Sequence, residues 1–161
     1  TERSYETHAK VNPPLRGHSD VAAMLEGLRD GAIDFVATDH APHNRVGKTC
    51  TFQDAAFGIS VLETALGSLM SLVHAGDLAL PLLVEKLTAD PAAFLGRDDL
   101  GTLRAGAPAD IILFDPDVEW VVDASKFASK GKNTPLTGAT LKGRVKLTVA
   151  QGEIAYDEVR E

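Results

Sequence analysis

Cysteine is nearly absent from this 161-residue chain, and Cys50 alone supports neither an internal disulfide nor a thiolate zinc cluster. A reducing, cytoplasmic setting is the simple expectation. No apolar run approaches the roughly 20 residues needed to span a bilayer, and no secretory signal is visible. Basic residues are also scarce: 16 Lys and Arg face 23 Asp and Glu. The resulting net charge of −7 argues against nucleic acid or an anionic membrane as partner. Internal repeats and low-complexity tracts are missing. What is present, 44% apolar and 24% charged residues, is the composition of a soluble globular protein with one domain, or one domain and a small appendage. The chain opens Thr1-Glu2-Arg3 without methionine, as an interior fragment or a trimmed chain would.

Read in order, the first 18 residues are polar and carry Asn12-Pro13-Pro14-Leu15-Arg16, where paired prolines forbid helix and impose an extended path. Such a loop can present Asn12 to a ligand or simply brace the fold. Ser19 as N-cap, Val21, Met24, Leu25 and Leu28 at helical spacing, and Gly31 as terminator predict a helix. Ala32 to Ala37 then reads as a buried strand of a parallel sheet. Residues 40–57 form a polar connection long enough for a lid or binding loop. A helix is expected over about 59–75, with Val61, Leu62, Ala65, Leu69, Leu72 and Val73 inward. A short helix from Pro81 to Leu87 and another capped by Asp90-Pro91 and closed by Gly96 follow. His74 reads as a helix-end cation, and His8 and His18 are given equally structural roles. From about residue 101 short strands alternate with turns: 111–114, 119–122, 145–149 and 153–156, with a loop over 129–135. The domain boundary falls near residues 97–101.

The strand at 32–37 empties into Thr38-Asp39-His40-Ala41-Pro42-His43. Strand ends of this kind are where α/β barrels and open α/β sheets place their chemistry. One carboxylate and two imidazoles around a stiff proline suit a metal, a proton shuttle or an anionic substrate. A polar turn whose Asp caps a helix accounts for the same residues, and the isolated pattern leaves both readings open. Gly58 would let backbone approach a ligand, or would simply begin the next helix.

Taken together the motifs are more specific. Asn12-Pro13-Pro14-Leu15-Arg16, Thr38 to His43 and Ala56-Phe57-Gly58-Ile59 resemble, in this order, the C-terminal part of bacterial dihydroorotases of the longer (class I) type, within the amidohydrolase superfamily. Gly101-Thr102-Leu103, Gly106 to Asp110 and Ser129-Lys130-Gly131-Lys132-Asn133-Thr134-Pro135 resemble the same family's tail. Two departures fall in the long loop: Ala56 replaces an expected proline, and Asn44 to Lys48 lacks acidic residues.

The resemblance implies an α/β fold, with residues 1–97 the C-terminal part of a (β/α)8 hydrolase barrel and 98–161 strands of a small β-sandwich, both incomplete in this chain. It implies zinc-dependent, reversible hydrolysis of a cyclic amide, interconverting (S)-dihydroorotate and N-carbamoyl-L-aspartate in de novo UMP synthesis. One or two Zn²⁺ per site would generate hydroxide and polarise the ring carbonyl. Asp39 matches a position that is both metal ligand and catalytic base. His43 matches one that helps hold the substrate's carboxylate, and Asn12, Phe57 and Gly58 match substrate contacts, the last two through backbone. His40 is given no ligand role, and Arg16 a structural one.

The family's remaining ligands, a His-x-His pair, a bridging modified lysine or carboxylate, and two further histidines, have no counterpart here. Zinc sites use at least three protein ligands, so these residues alone are expected to bind no catalytic zinc and to be inactive. The missing N-terminal part of the same protein is the first implied partner. A homodimer or association with aspartate carbamoyltransferase is also open, as is a non-catalytic dihydroorotase-like scaffold for that enzyme. Another cyclic amidohydrolase, a hydantoinase or allantoinase, is the remaining alternative.

Overall fold

The computed structural model describes residues 5–158. The Met-less opening, Thr1-Glu2-Arg3, lies outside them. Four α-helices precede a three-stranded antiparallel sheet: α1 (His18–Asp30), α2 (Ala65–His74), α3 (Leu80–Leu87), α4 (Ala89–Phe94), then β1 (Ile111–Val121), β2 (Thr140–Ala150) and β3 (Glu153–Asp157) in the order β1-β2-β3.

Helix α1 begins one residue before the expected cap. Gly17 is the N-cap, and Asp20 reaches back to its N–H at 3.3 Å, so Ser19 lies inside the helix. Gly31 ends it at φ +83°. The segment after it bends at Ala32 and Ile33 and joins no ladder among the described residues, contrary to the expected strand at 32–37. A strand is defined by paired neighbours. Here Val36 N–H bonds Lys86 O at 3.1 Å, and His40 makes a single parallel bridge to Ile59. Lys86 fixes this segment from α3 by donating to Asp34 O at 2.9 Å while pairing with Asp90 at 2.9 Å. That ion pair engages the carboxylate expected to cap α4, which starts at Ala89 with Thr88 at its N-cap.

The helix expected from residue 59 starts at Ala65. The carbonyls of Gly58 and Ile59, which a first turn from residue 59 would use, accept Asn133 Nδ2 and Ala41 N–H instead. The amides of Val61 and Leu62 bond His40 Nδ1 at 3.0 and 3.2 Å. Leu62 is consequently 60% exposed, and the buried residues of α2 are Gly67 and Met70. Gly67 allows α2 to approach β2: a Cβ there would lie 3.2 Å from Leu141 Cβ. His74 does not cap its own helix but bonds Pro116 O on β1 at 3.0 Å.

The expected turn at 115–117 is a bulge within one long strand. Asp115 Oδ1 accepts the amides of Asp117 and Val118, and the register with β2 shifts between Asp115 and Glu119. Gln151 and Gly152, both at positive φ, make the β2–β3 hairpin turn. One apolar cluster gathers Leu28, Met70, Leu78 and Leu83, with Ile33, Val36 and Phe114 against it, so helices and β1 share a core. A second gathers Val122, Ala124 and Phe127 with Trp120, Leu136 and Leu141. Among the described residues no helix is long and apolar enough to cross a membrane.

Candidate active-site wall

The turn after the apolar 32–37 segment is held by backbone bonds. Ala41 N–H bonds Ile59 O at 3.0 Å, extending the His40–Ile59 bridge, and Gly58 N–H bonds Lys10 O at 3.0 Å. These bonds bring three distant stretches of sequence together: 10–12, 39–43 and 57–59. Of the residues singled out above, Asp39, His43, Phe57 and Gly58 therefore belong to adjoining segments. Asn12 is exposed two residues beyond Lys10, and its side chain makes no hydrogen bond among the described residues.

Asp39 sits at φ +46°, in the left-handed region that Asp and Asn tolerate better than most residues. It is exposed, and among the described residues its carboxylate enters no hydrogen bond or ion pair. That excludes the helix-capping reading of the turn. His40 is the opposite case. Its Nδ1 accepts two amides, so the neutral ring carries its proton on Nε2, which faces Ser129 Oγ at 3.3 Å. Both nitrogens are occupied by the fold. His43 Nε2 lies 2.7 Å from Phe57 O, a pure acceptor, so Nε2–H donates there and Nδ1 remains available.

Gly58 is buried at φ +135°, and a Cβ would lie 2.6 Å from Ala41 Cβ and 3.0 Å from His43 Nε2. Close approach and backbone conformation both require glycine here. The Phe57 ring is exposed, with Lys10 Nζ 4.4 Å from its centroid.

The connection over 40–57, long enough for a lid or binding loop, is pinned by Lys48. Only 2% exposed, its ammonium donates to the carbonyls of Thr7, Lys10 and Ala56 at 3.0, 3.1 and 2.7 Å. Burial, and secondarily the Lys10 ammonium, lowers its pKa below the ordinary lysine value. The departure at Ala56 has a use: its N–H bonds Gly47 O at 2.9 Å, a bond proline cannot make. Lys48→Met should lower the urea midpoint of the full-length protein, because the Ala56 carbonyl loses its charged donor. The expected loss is about 1–3 kcal/mol, the usual penalty for an orphaned buried polar group. An unchanged midpoint would show that relief of the buried charge offsets the lost bonds.

Sequence reasoning missed Asn133, which is 2% exposed. Its Oδ1 accepts His43 N–H at 2.7 Å, and its Nδ2 donates to Ala41 O and Gly58 O, each at 3.1 Å. The signal was the Ser129 to Pro135 motif, which shows nothing locally beyond loop composition. Lys48 gave no signal at all, since a lysine in a polar loop reads as solvated.

Chemically, this surface offers one free carboxylate, one available imidazole nitrogen and backbone groups. Among the described residues no three His, Cys, Asp or Glu side chains gather to hold a metal ion. A zinc centre therefore does not fit these residues alone: Asp39 is a single oxygen donor. Two concavities of about 520 and 530 Å³ lie elsewhere, beside α4 and between α2 and the sheet. The turn is an open wall.

The chain is 50% identical over 155 residues to the dihydroorotase of Syntrophus aciditrophicus and 49% identical over 154 residues to that of Geobacter metallireducens. Each alignment covers 96% of this chain and 36% of the relative, so the chain spans little more than a third of the curated relatives' length. Among solved structures, the L-hydantoinase (dihydropyrimidinase) from Arthrobacter aurescens superposes with a TM-score of 0.85 at 33% identity, over 92% of this chain and 34% of that one. A D-hydantoinase from Thermus sp. shares the fold, with a TM-score of 0.83 at 23% identity, over 94% of this chain and 34% of that one. The model of the amidohydrolase family matches residues 8–155, and the chain belongs to that family.

Proposed function

We propose that the protein to which this chain contributes is a cytoplasmic dihydroorotase, interconverting (S)-dihydroorotate and N-carbamoyl-L-aspartate in de novo pyrimidine synthesis. The observation that carries this reading is near-50% identity to dihydroorotases across 96% of the chain. Residues 1–97 are assigned to the C-terminal part of a (β/α)8 barrel and 98–161 to strands of a small β-sandwich. The parallel His40–Ile59 bridge supports the first assignment, and the antiparallel β1–β3 sheet supports the second.

Asp39 is the ligand this chain would give to zinc, with the other ligands supplied by the remainder of the protein. Bound zinc would supply Lewis acidity and an acidified water. Asp39, with no competing partner among the described residues, would take the proton of the attacking water and return it to the departing ring nitrogen. His43 orients the substrate carboxylate. Because Nε2–H is committed to Phe57 O, the contact falls to Nδ1, which donates only when the ring is protonated. Asn12 and the Phe57–Gly58 backbone complete the substrate's surroundings.

His43→Ala should raise KM for dihydroorotate about tenfold or more, as expected for one charge-assisted hydrogen bond, while zinc content stays unchanged. A fall in zinc with unaltered KM would remove His43 from substrate binding. A second reading, hydantoinase or a related cyclic amidohydrolase, is favoured by the solved structures of like shape, although at lower identity than the dihydroorotases. Assaying the metal-loaded full-length protein on dihydroorotate, carbamoyl aspartate, hydantoin and allantoin separates the two. Turnover confined to the last pair would sink the dihydroorotase reading.

A further inference from the structure

We propose that Asn133 is a positioning residue, and that the segment leading into β2 sets the shape of the Asp39–His43 turn. For its substrate the inference rests on the dihydroorotase reading; for the clamp itself it does not. Asn133 has no donor left for a ligand, since both Nδ2 hydrogens go to Ala41 O and Gly58 O and Oδ1 receives His43 N–H. Its orientation is fixed by this network, because the turn offers one N–H and two carbonyls that no flipped amide can match. Its own carbonyl accepts Ser60 N–H at 2.9 Å. One buried side chain, 90 residues from His43 in sequence, thus ties the turn to the Phe57–Gly58 strip.

The rest of the segment points the same way. A Cβ on Gly131 would lie 2.5 Å from Pro42 Cβ and 2.8 Å from His43 N, so the segment touches the turn backbone directly. Ser60 Oγ donates to Gly131 O at 3.0 Å, and Ser129 Oγ faces His40 Nε2 at 3.3 Å. Ser129 N–H is in turn held by Glu63 Oε1 at 2.8 Å. His40, Ala41, Pro42 and His43 are each met from this one stretch. An anchor that only stabilised the fold would not need to hold the two sides of a substrate-contacting strip in register. Small misplacement there is expensive in binding and rate, because reacting groups work only near their productive geometry.

The test uses the full-length protein as wild type, Asn133→Ala, His43→Ala, the double variant and Gly131→Ala. Hydrogen exchange followed by mass spectrometry should show faster exchange in Asn133→Ala for peptides covering 41–44 and 57–61, with α1 and β3 unchanged. KM for dihydroorotate should rise about tenfold with a smaller change in kcat, and the double variant should add little to His43→Ala, as for two residues acting through one contact. Unchanged exchange at those peptides, or effects that multiply independently, would overturn the proposal, as would a loss of thermal stability alone. Should Asn133→Ala not fold, Gly131→Ala decides: it keeps the amide and pushes on Pro42 and His43, and an unaltered KM would refute positioning from this segment. A wild type that does not turn over dihydroorotate sinks the substrate assignment, and the exchange result still decides the clamp.

Discussion

Asp39→Asn in the full-length protein is expected to reduce turnover of dihydroorotate by about a thousandfold or more while leaving the folded state almost untouched. Loss of a general base alone is typically worth about 10²–10⁴ in rate, and here the same oxygen is assigned to metal binding. The substitution is unusually clean because of the backbone. At φ +46° most residues are strained, but Asn tolerates the left-handed region as well as Asp does. The carboxylate is exposed and makes no hydrogen bond or ion pair among the described residues, so no fold contact is lost with the charge. Asp39→Ala would mix strain into the result. Thermal melting and zinc content, measured beside the rate, separate the outcomes. Retained turnover would remove Asp39 from the chemistry, and a large fall in melting temperature would show a structural role not visible in its contacts.

The turn itself was legible because its chemistry is local: an Asp, a rigid proline and two histidines within six residues, after an apolar run. The division of labour between the two histidines was only partly so. Whether a ring nitrogen is available depends on what comes to it from elsewhere. For His40 those groups are the amides of Val61 and Leu62 and the hydroxyl of Ser129, and for His43 the carbonyl of Phe57. Long-range bonds also explain the displaced helix start. Hydrophobic periodicity from residue 59 is compatible with helix, but the carbonyls of Gly58 and Ile59 that a helical first turn would use already accept Asn133 Nδ2 and Ala41 N–H. The apolar run at 32–37 was legible, but the strand expected there does not form. Pairing, which makes a strand, is a property of neighbours, and among the described residues the backbone bonds of this segment run to helical residues, Ile33 N–H to Gly27 O and Val36 N–H to Lys86 O, with a single bridge beyond it at His40. Lys48 and Asn133 were illegible for the most general reason. A polar side chain's burial is decided by tertiary contact, and no local pattern distinguishes a pinned lysine from a solvated one.

Gly58→Ala is the second substitution expected to act strongly, and it acts through shape. The added methyl group would enter at 2.6 Å from Ala41 Cβ, 3.0 Å from Ala41 O and 3.0 Å from His43 Nε2. Escape is blocked, since the Gly58 N–H is bound to Lys10 O and its carbonyl to Asn133 Nδ2. The backbone also sits at φ +135°, where an L side chain is strained. Together these should destabilise the full-length protein by about 2–4 kcal/mol, overpacking and backbone strain contributing comparably. They should also push His43 off Phe57 O, raising KM for dihydroorotate even at temperatures where the variant is folded. Gly106→Ala supplies the control. It shares a positive φ, +91°, but a Cβ there meets nothing within 4 Å, so only backbone strain of about 1–2 kcal/mol remains and KM should not move. If both variants melt alike and both keep wild-type KM, the contact between Gly58 and the turn does not shape the site. If only Gly58→Ala loses substrate affinity, the methyl group has displaced the imidazole that this strip holds in place.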